Sequence, residues 1–327
     1  GIKLIGRVNH QAARICQAGI MSHQRIMVVW EYALHAEMNP MLNETYTLSN
    51  GVKIPRLGLG TWFIDDSIAG QVVRDAVNVG YRHIDTAQAY MNEAGVGEGV
   101  RTCGIPREEL FIATKLAAEI KDYAGAIAAI DGSLQTTGLE TIDLMLIHSP
   151  QPWDQFREDD ERFFEGNREA WRALEDAYKA GKLRAIGVSN FEQPDIENIL
   201  SSGTIPPMVN QILAHVGNTP FELIEYTQGK GILVEAYSPI AHGAALTHRQ
   251  MKVMAEKYAV SIPQLSIRYC LQLGLLPLPK TTNPTHMKTN AAVDFVISDE
   301  DMELLKNAEQ LTDYGEANAM PVFGGKL

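Results

Sequence analysis

The segment SIAGQVVRDAVNVGYRHIDTAQAY, residues 67–90, contains one complete unit of the pattern that decides the fold. Its first part sets Ile68, Val72, Val73, Ala76 and Val79 on one side of a helix. Its second part is a short approach, YRHID, that ends on the carboxylate of Asp85 and is followed by small residues and the phenol of Tyr90. Taken alone, a strand closed by an Asx-type turn, with Tyr90 half buried behind it, accounts for the approach. The same arrangement recurs along the chain.

Short apolar runs end on a polar or glycine residue eight times: RLGLG at Gly60, RHID at Asp85, LFIATK at Lys115, DLMLIH at His148, AIGVSN at Ser189 and Asn190, PMVNQ at Gln211, ILVEAY at Tyr237 and LLPLPK at Lys280. Successive ends lie from 22 residues apart (Ser189 to Gln211) to 43 apart (Tyr237 to Lys280), room for a strand, a helix and two loops. Helical patterns fill the gaps, as in NREAWRALEDAYKAGK, where Ala170, Trp171, Leu174 and Tyr178 share a face and Gly181 follows as a C-cap. Alternating strands and helices imply a parallel sheet with right-handed crossovers, and eight such units close into a (β/α)8 TIM barrel, an α/β fold. Before the first unit, TYTLSNGVKIPRLGLGTW predicts a β-hairpin about Asn50-Gly51, both of which tolerate positive φ. The stretch SIPQLSIRYCLQLG before the eighth run predicts an extra helix, and SPQPWDQFREDDERFFEG after the fourth a surface loop.

In such a barrel the C-terminal strand ends share one rim, where active sites are built. Asp85, Lys115, His148, Ser189, Asn190, Gln211, Tyr237 and Lys280 are therefore expected to lie together, with Tyr90 hanging over the same mouth. Each has an ordinary alternative: Asp85 as a turn acceptor, Lys115 as a solvated strand end, His148 as a satisfied core histidine. As a set they are chemically coherent. A buried ammonium at Lys115 would stabilise the phenolate of Tyr90 and so make the phenol a stronger acid, Asp85 would balance the ammonium, and His148 would orient a substrate oxygen. The set donates a proton to a carbonyl oxygen but contains no electron source.

The motifs GYRHIDTAQAY, ATK, LIHSP, GVSNF, VNQ, AYSP and LPKTTNPTHMKTN, in this order over residues 45 to 325, resemble the aldo-keto reductase superfamily, particularly its bacterial diketogulonate and methylglyoxal reductase-like members. The resemblance implies NADPH-dependent reduction of aldehydes or ketones, small dicarbonyls and sugar-derived keto compounds among them, with NADH also usable. It implies Tyr90 as general acid, Lys115 and Asp85 as its tuning pair, and His148 as the orienting group. Ser189, Asn190 and Gln211 are similar to the residues that hold the nicotinamide carboxamide, Tyr237 to the ring that stacks on it, and Ser238 to a pyrophosphate contact. Lys280, Thr281, His286 and Asn290 fall where the family meets the 2′-phosphate and adenine, His286 replacing the arginine of most NADPH-selective members. Gly60, Thr61 and Trp62 at the first run end, with Asp85, are expected along the cofactor, and Trp62, Tyr90, His148 and Trp153 along the substrate. Phe63 could wall the same pocket. Substrate selectivity is expected in the loop 149–166 and the tail AMPVFGGKL.

The chain has 327 residues, 45% apolar and 21% charged, which is ordinary for a globular protein. A formal charge of -12 and a pI near 5.2 argue against a nucleic-acid or anionic-membrane surface, so the expected partner is a small carbonyl compound. No apolar run has the length of a membrane span, and the reading is of a cytoplasmic protein; its oligomeric state is not legible in the sequence, which is compatible with a monomer. Cys16, Cys103 and Cys270 form no CxxC pair and suggest neither disulfides nor a metal site. GVGEGV at 95–100 lacks the spacing of a dinucleotide-binding loop and reads as a helix that tolerates glycines. The first forty residues carry three arginines and no acid before Glu31, faintly like a transit peptide, but only one serine. Residues 1–44 are expected as an extension outside the fold, translated from upstream of a start at Met21, Met38 or Met41, with one barrel domain over 45–327. Two other readings stand beside this one: a Schiff-base enzyme acting through Lys115 or Lys280, and a non-enzymatic cofactor-binding or structural member of the fold.

Overall fold

A computed structural model describes residues 39–325. The expected extension lies, up to residue 38, outside the described residues, as does Cys16. An antiparallel hairpin, β1 (Thr45–Thr47) and β2 (Lys53–Pro55), precedes eight parallel strands. These are β3 (Leu59–Gly60), β4 (His83–Asp85), β5 (Phe111–Leu116), β6 (Ile142–Ile147), β7 (Leu183–Ser189), β8 (Val209–Leu213), β9 (Leu233–Tyr237) and β10 (Leu276–Leu278), each paired with its sequence neighbour. Backbone bonds from Gly58 N to Pro277 O (3.3 Å) and from Gly60 N to Pro279 O (3.1 Å) join the last strand to the first. The protein is a (β/α)8 TIM barrel.

The helices that return the chain are α1 (Asp66–Val79), α2 (Glu93–Thr102), α3 (Tyr123–Thr137), α4 (Phe164–Lys179), α5 (Gln193–Ser202) and α6 (Phe221–Gly229). The expected additional helix is α8 (Ile262–Gln272), preceded by α7 (Arg249–Tyr258); α9 (Pro284–Ala291) and α10 (Asp299–Lys306) follow the last strand. Strands β5 and β6 are buried at every residue, as parallel strands covered on both faces must be. Leu48 and Ile54 of the hairpin pack with Phe111, Ile142, Leu183, Val209 and Leu276, which open their strands, so the hairpin plugs the N-terminal end of the barrel. The opposite end remains available for a site.

Three local readings need correction. The inward face of α1 is Ala69, Val72, Val73, Ala76 and Val77, while Ile68 is 46% exposed and Val79 only half-buried; apolar residues one position either way satisfy the same periodicity, and packing chooses the phase. The hairpin turn uses positive φ at Gly51 but not at Asn50, because Gly51 N donates to Leu48 O across a turn centred on Ser49 and Asn50. The glycines of GVGEGV are required rather than tolerated: a Cβ on Gly97 would stand 2.1 Å from Thr137 O, and one on Gly99 2.7 Å from Gly70 O. They let α2 press against α1 and α3.

Met41 and Leu42 are buried with Leu57, Leu59 and Val73 in a compact unit that runs from Met41 to Leu327. We propose that a chain begun at Met41 folds by itself, its thermal unfolding midpoint lying within a few degrees of the full chain's. An aggregated or unfolded product would place part of the preceding segment inside the fold.

Candidate active site

Every run-ending residue stands at or near the C-terminal rim, with one displacement. Gly60, Asp85, Ser189 and Tyr237 are the last residues of their strands, Lys115 is next to last, and His148, Asn190 and Lys280 follow theirs closely. Gln211 is the third residue of β8, which continues to Leu213, so its side chain enters from inside the barrel rather than from the rim. All of them but Lys115 line one cavity of about 760 Å³, whose wall also includes Thr61, Trp62, Tyr90, Trp153, Ser238, Thr281, His286 and Asn290. Lys115, wholly buried, lies beneath Asp85 and Tyr90. Phe63 does not reach the cavity: it is 58% exposed and stacks on Trp62 at 4.4 Å between ring centroids.

The floor of the cavity is one hydrogen-bonded chain. Lys115 Nζ donates to Asp85 Oδ1 at 2.6 Å, to the Thr86 carbonyl at 2.8 Å and to the Tyr90 hydroxyl at 3.1 Å, and lies 4.7 Å from the centroid of the Tyr90 ring. Burial works against the ammonium, but Asp85 and then Tyr90 outweigh it, so Lys115 is held protonated above its ordinary range. Burial also raises the Tyr90 phenol above its ordinary value, with Lys115 opposing. The expectation that Lys115 would make Tyr90 a stronger acid than a free phenol is therefore corrected in its net direction, because desolvation in the barrel exceeds the pull of one ammonium that Asp85 already shares. His148 is driven well below 6.5 by burial and then by Lys115 and Lys121, so its ring is neutral; Nδ1 has no hydrogen-bond partner among the described residues. The ring meets Tyr90 edge-on at 5.7 Å and Trp153 at 5.0 Å.

A second set of bonds fixes the polar side chains of the rim. Asn190, held at φ 60°, donates through Nδ2 to the His148 carbonyl (3.0 Å) and to Ser189 Oγ (3.3 Å), while its Oδ1 accepts from the Tyr237 hydroxyl at 2.6 Å. Ser189 Oγ in turn donates to the Gln211 carbonyl at 2.8 Å. On the other side Thr61 Oγ1 donates to Asp85 O at 2.9 Å, and the buried Asn92 ties the loop after β4 to Thr61 and Ile64 through their carbonyls. The tail reaches the site as well: Met320, Pro321 and Val322 line the cavity, and Phe323 stacks on Trp62 at 6.0 Å with His242 edge-on to both rings.

Asn92, His242, His83 and Glu235 are absent from the sequence reading. Glu235 alone carried a visible signal, an acid inside the apolar run ILVEAY. Its carboxyl is pushed up to about 8 by burial and then by the charge of Asp85. An unfolded chain ionises this residue near the ordinary glutamate value, so between that value and about 8 the folded state keeps a proton that the unfolded state has released, and stability falls as pH rises through this window. Asp85 adds to the rise, while the Gln211 hydrogen bond and the charge of Lys115 oppose it; His83, 4.0 Å away, is itself neutral. Glu235→Gln abolishes the titration. Its stability relative to the parent is expected to rise between about pH 5 and pH 8, by up to ~1.4 kcal/mol per pH unit, in urea unfolding series. A difference independent of pH would mean that Glu235 titrates like an exposed acid.

No group of three or more metal-binding side chains occurs among the described residues, nor any helix long and apolar enough to cross a membrane. The barrel thus carries a phenol, an ammonium, a carboxylate and a neutral imidazole together at its C-terminal rim. The chain belongs to the aldo/keto reductase family, whose sequence model matches residues 56–310. It is 40% identical over 268 residues to the glyoxal reductase of Bacillus subtilis, covering 81% of this chain and 93% of that protein. Among solved structures it is similar to an aldo/keto reductase of Brucella melitensis (TM-score 0.73, 35% identity, 80% of this chain and 97% of that one) and to a Bombyx mori aldo-keto reductase in complex with NADP (TM-score 0.73, 32% identity, 84% and 95%). The protein is an NAD(P)H-dependent oxidoreductase.

Proposed function

We propose that this enzyme reduces small aldehydes and ketones, dicarbonyls and sugar-derived keto compounds among them, to alcohols with NADPH as the preferred donor. The observation that carries the reading is the buried chain Asp85–Lys115–Tyr90 under a cavity that also exposes a neutral histidine. Tyr90 gives its proton to the carbonyl oxygen, and the phenolate left behind is stabilised by Lys115 Nζ 3.1 Å away. His148, neutral, donates an N–H to the same oxygen and keeps it within reach of Tyr90. Lys115 is an ammonium with three acceptors, which removes the free amine that a Schiff-base mechanism at this residue needs. Trp62 and Trp153 wall the substrate end.

The rim fits a nicotinamide dinucleotide by its remaining hydrogen-bond capacity. With both of its N–H bonds donated inside the protein, the Gln211 amide has only oxygen left for the cavity, an acceptor suited to a carboxamide NH2; Ser189 and Asn190, whose Oδ1 already accepts from Tyr237, stand beside it. Tyr237 offers its ring face, Ser238 a pyrophosphate contact, and Gly60 and Thr61 a close wall. Lys280, Thr281, His286 and Asn290 would hold the adenosine end. When bound, the cofactor supplies the hydride. The name of the Bacillus subtilis relative supports glyoxal-type dicarbonyls as first candidates, and a cytoplasmic setting belongs to the same reading.

Incubation with NADPH and methylglyoxal is expected to bleach the nicotinamide absorbance; no turnover with any small aldehyde or ketone would remove the reading. NADPH is expected to exceed NADH in kcat/KM by roughly tenfold, since a charge-assisted hydrogen bond from Lys280 is worth about 1.5–3 kcal/mol. Histidine lacks the bidentate fork of arginine, so His286→Arg should widen that ratio further. Equal use of both cofactors, or an unchanged ratio in the arginine variant, would take Lys280 and His286 out of the phosphate site.

A further inference from the structure

Glu235 stands inside the barrel on β9, fully buried, and takes no part in the proton chemistry above. Burying a carboxyl is costly unless its oxygens are paired. Only one of them is: Oε2 accepts from Gln211 Nε2 at 2.7 Å. Oε1 has no hydrogen-bond partner among the described residues and lies 4.0 Å from His83 Nε2, which has none either. An apolar side chain would fill this place, opposite Leu276 on the neighbouring strand, more cheaply, so packing does not account for an acid here.

Its one bond does. The same Gln211 nitrogen donates to Asp85 Oδ2 at 2.9 Å, while the other oxygen of Asp85 takes the Lys115 ammonium at 2.6 Å. A primary amide carries two N–H bonds, and these two acceptors use both. Turning the amide over would set its oxygen against the carboxylate of Asp85, which can only accept. The carbonyl oxygen is therefore the end that Gln211 presents to the cavity it lines.

We propose that Glu235 is a positioning residue of the cofactor site: with Asp85 it clamps the Gln211 amide so that an acceptor meets the NH2 of the nicotinamide carboxamide. This rests on the assignment of Gln211 to that carboxamide. Glu235 thereby acts on recognition and leaves the proton donor untouched.

The test compares the dissociation constants of NADP+ and of its 3-acetylpyridine analogue, in which a methyl replaces the amide NH2, by titration calorimetry on the full chain. The oxidised forms bind without turnover. The parent is expected to favour NADP+ by roughly five- to tenfold, the loss of about one hydrogen bond. Glu235→Gln keeps an acceptor oxygen at the same place and should keep that ratio. Glu235→Leu frees the amide and should bring the ratio to within about twofold of unity; should it fail to fold by circular dichroism, Glu235→Met gives the same comparison with a more adaptable side chain. A folded Leu or Met variant with the parent's ratio, or a Gln variant that loses it, overturns the role of Glu235. Gln211→Leu separates the two levels: if it alone abolishes the preference, the assignment of Gln211 stands without Glu235, and if it leaves the preference intact, both fall.

Discussion

Tyr90→Phe is expected to lower kcat for carbonyl reduction by at least ~100-fold while leaving the cofactor dissociation constant within about twofold of the parent's, the usual range for losing a positioned general acid. The ring that remains keeps its place beside Lys115, whose ammonium retains Asp85 and the Thr86 carbonyl as acceptors. The structural loss is thus one hydrogen bond, about 1 kcal/mol. Chemistry and binding should separate. Because burial holds the phenol above its ordinary value, its proton is in place throughout the neutral range, so the parent's reduction rate should not fall through ionisation of Tyr90 as pH rises from 6 to 9. Pre-steady-state reduction with NADPH and methylglyoxal, beside a fluorescence titration of the cofactor, measures both halves. A phenylalanine variant that reduces the substrate as fast as the parent would assign the proton to another group.

What could be read in the chain, and what could not, follows from the range of the forces involved. Asp85, Lys115, His148 and Ser189 were legible because parallel barrel strands are buried on both faces: their apolar runs are continuous, and a polar residue at the end of each marks the rim. The link between Gln211 and Asp85 spans 126 positions, and neither residue hints at the other until the barrel closes. The stack of Phe323 on Trp62 is hidden for the same reason. The net direction of the Tyr90 shift needed the depth of burial, which no local pattern records. Ile68 was misread for a different reason, since helical periodicity gives the spacing of an apolar face and leaves its phase to tertiary packing.

Lys115→Met should be the most damaging single change to both fold and turnover. Lys115 is wholly buried, and its Nζ is the only cation bonded to Asp85 among the described residues. Removing it leaves Asp85 enclosed with Gln211 as a neutral donor and with Glu235 on the far side of that same amide. An uncompensated buried charge of this kind costs about 3–5 kcal/mol, a large share of the stability of a domain. Turnover should also fall by at least ~100-fold, because the phenolate formed at Tyr90 loses its nearest positive charge. The two effects have one origin, and a double-mutant cycle exposes it. Asp85→Asn alone strands the ammonium, whereas Asp85→Asn with Lys115→Met removes both charges and should be less destabilised than the two single costs combined, by about 1–3 kcal/mol. Urea unfolding of the four proteins at neutral pH supplies the cycle. Strictly additive costs, or single variants each destabilised by less than about 1 kcal/mol, would show that Asp85 and Lys115 are solvated independently and that Tyr90 does not depend on a buried ion pair.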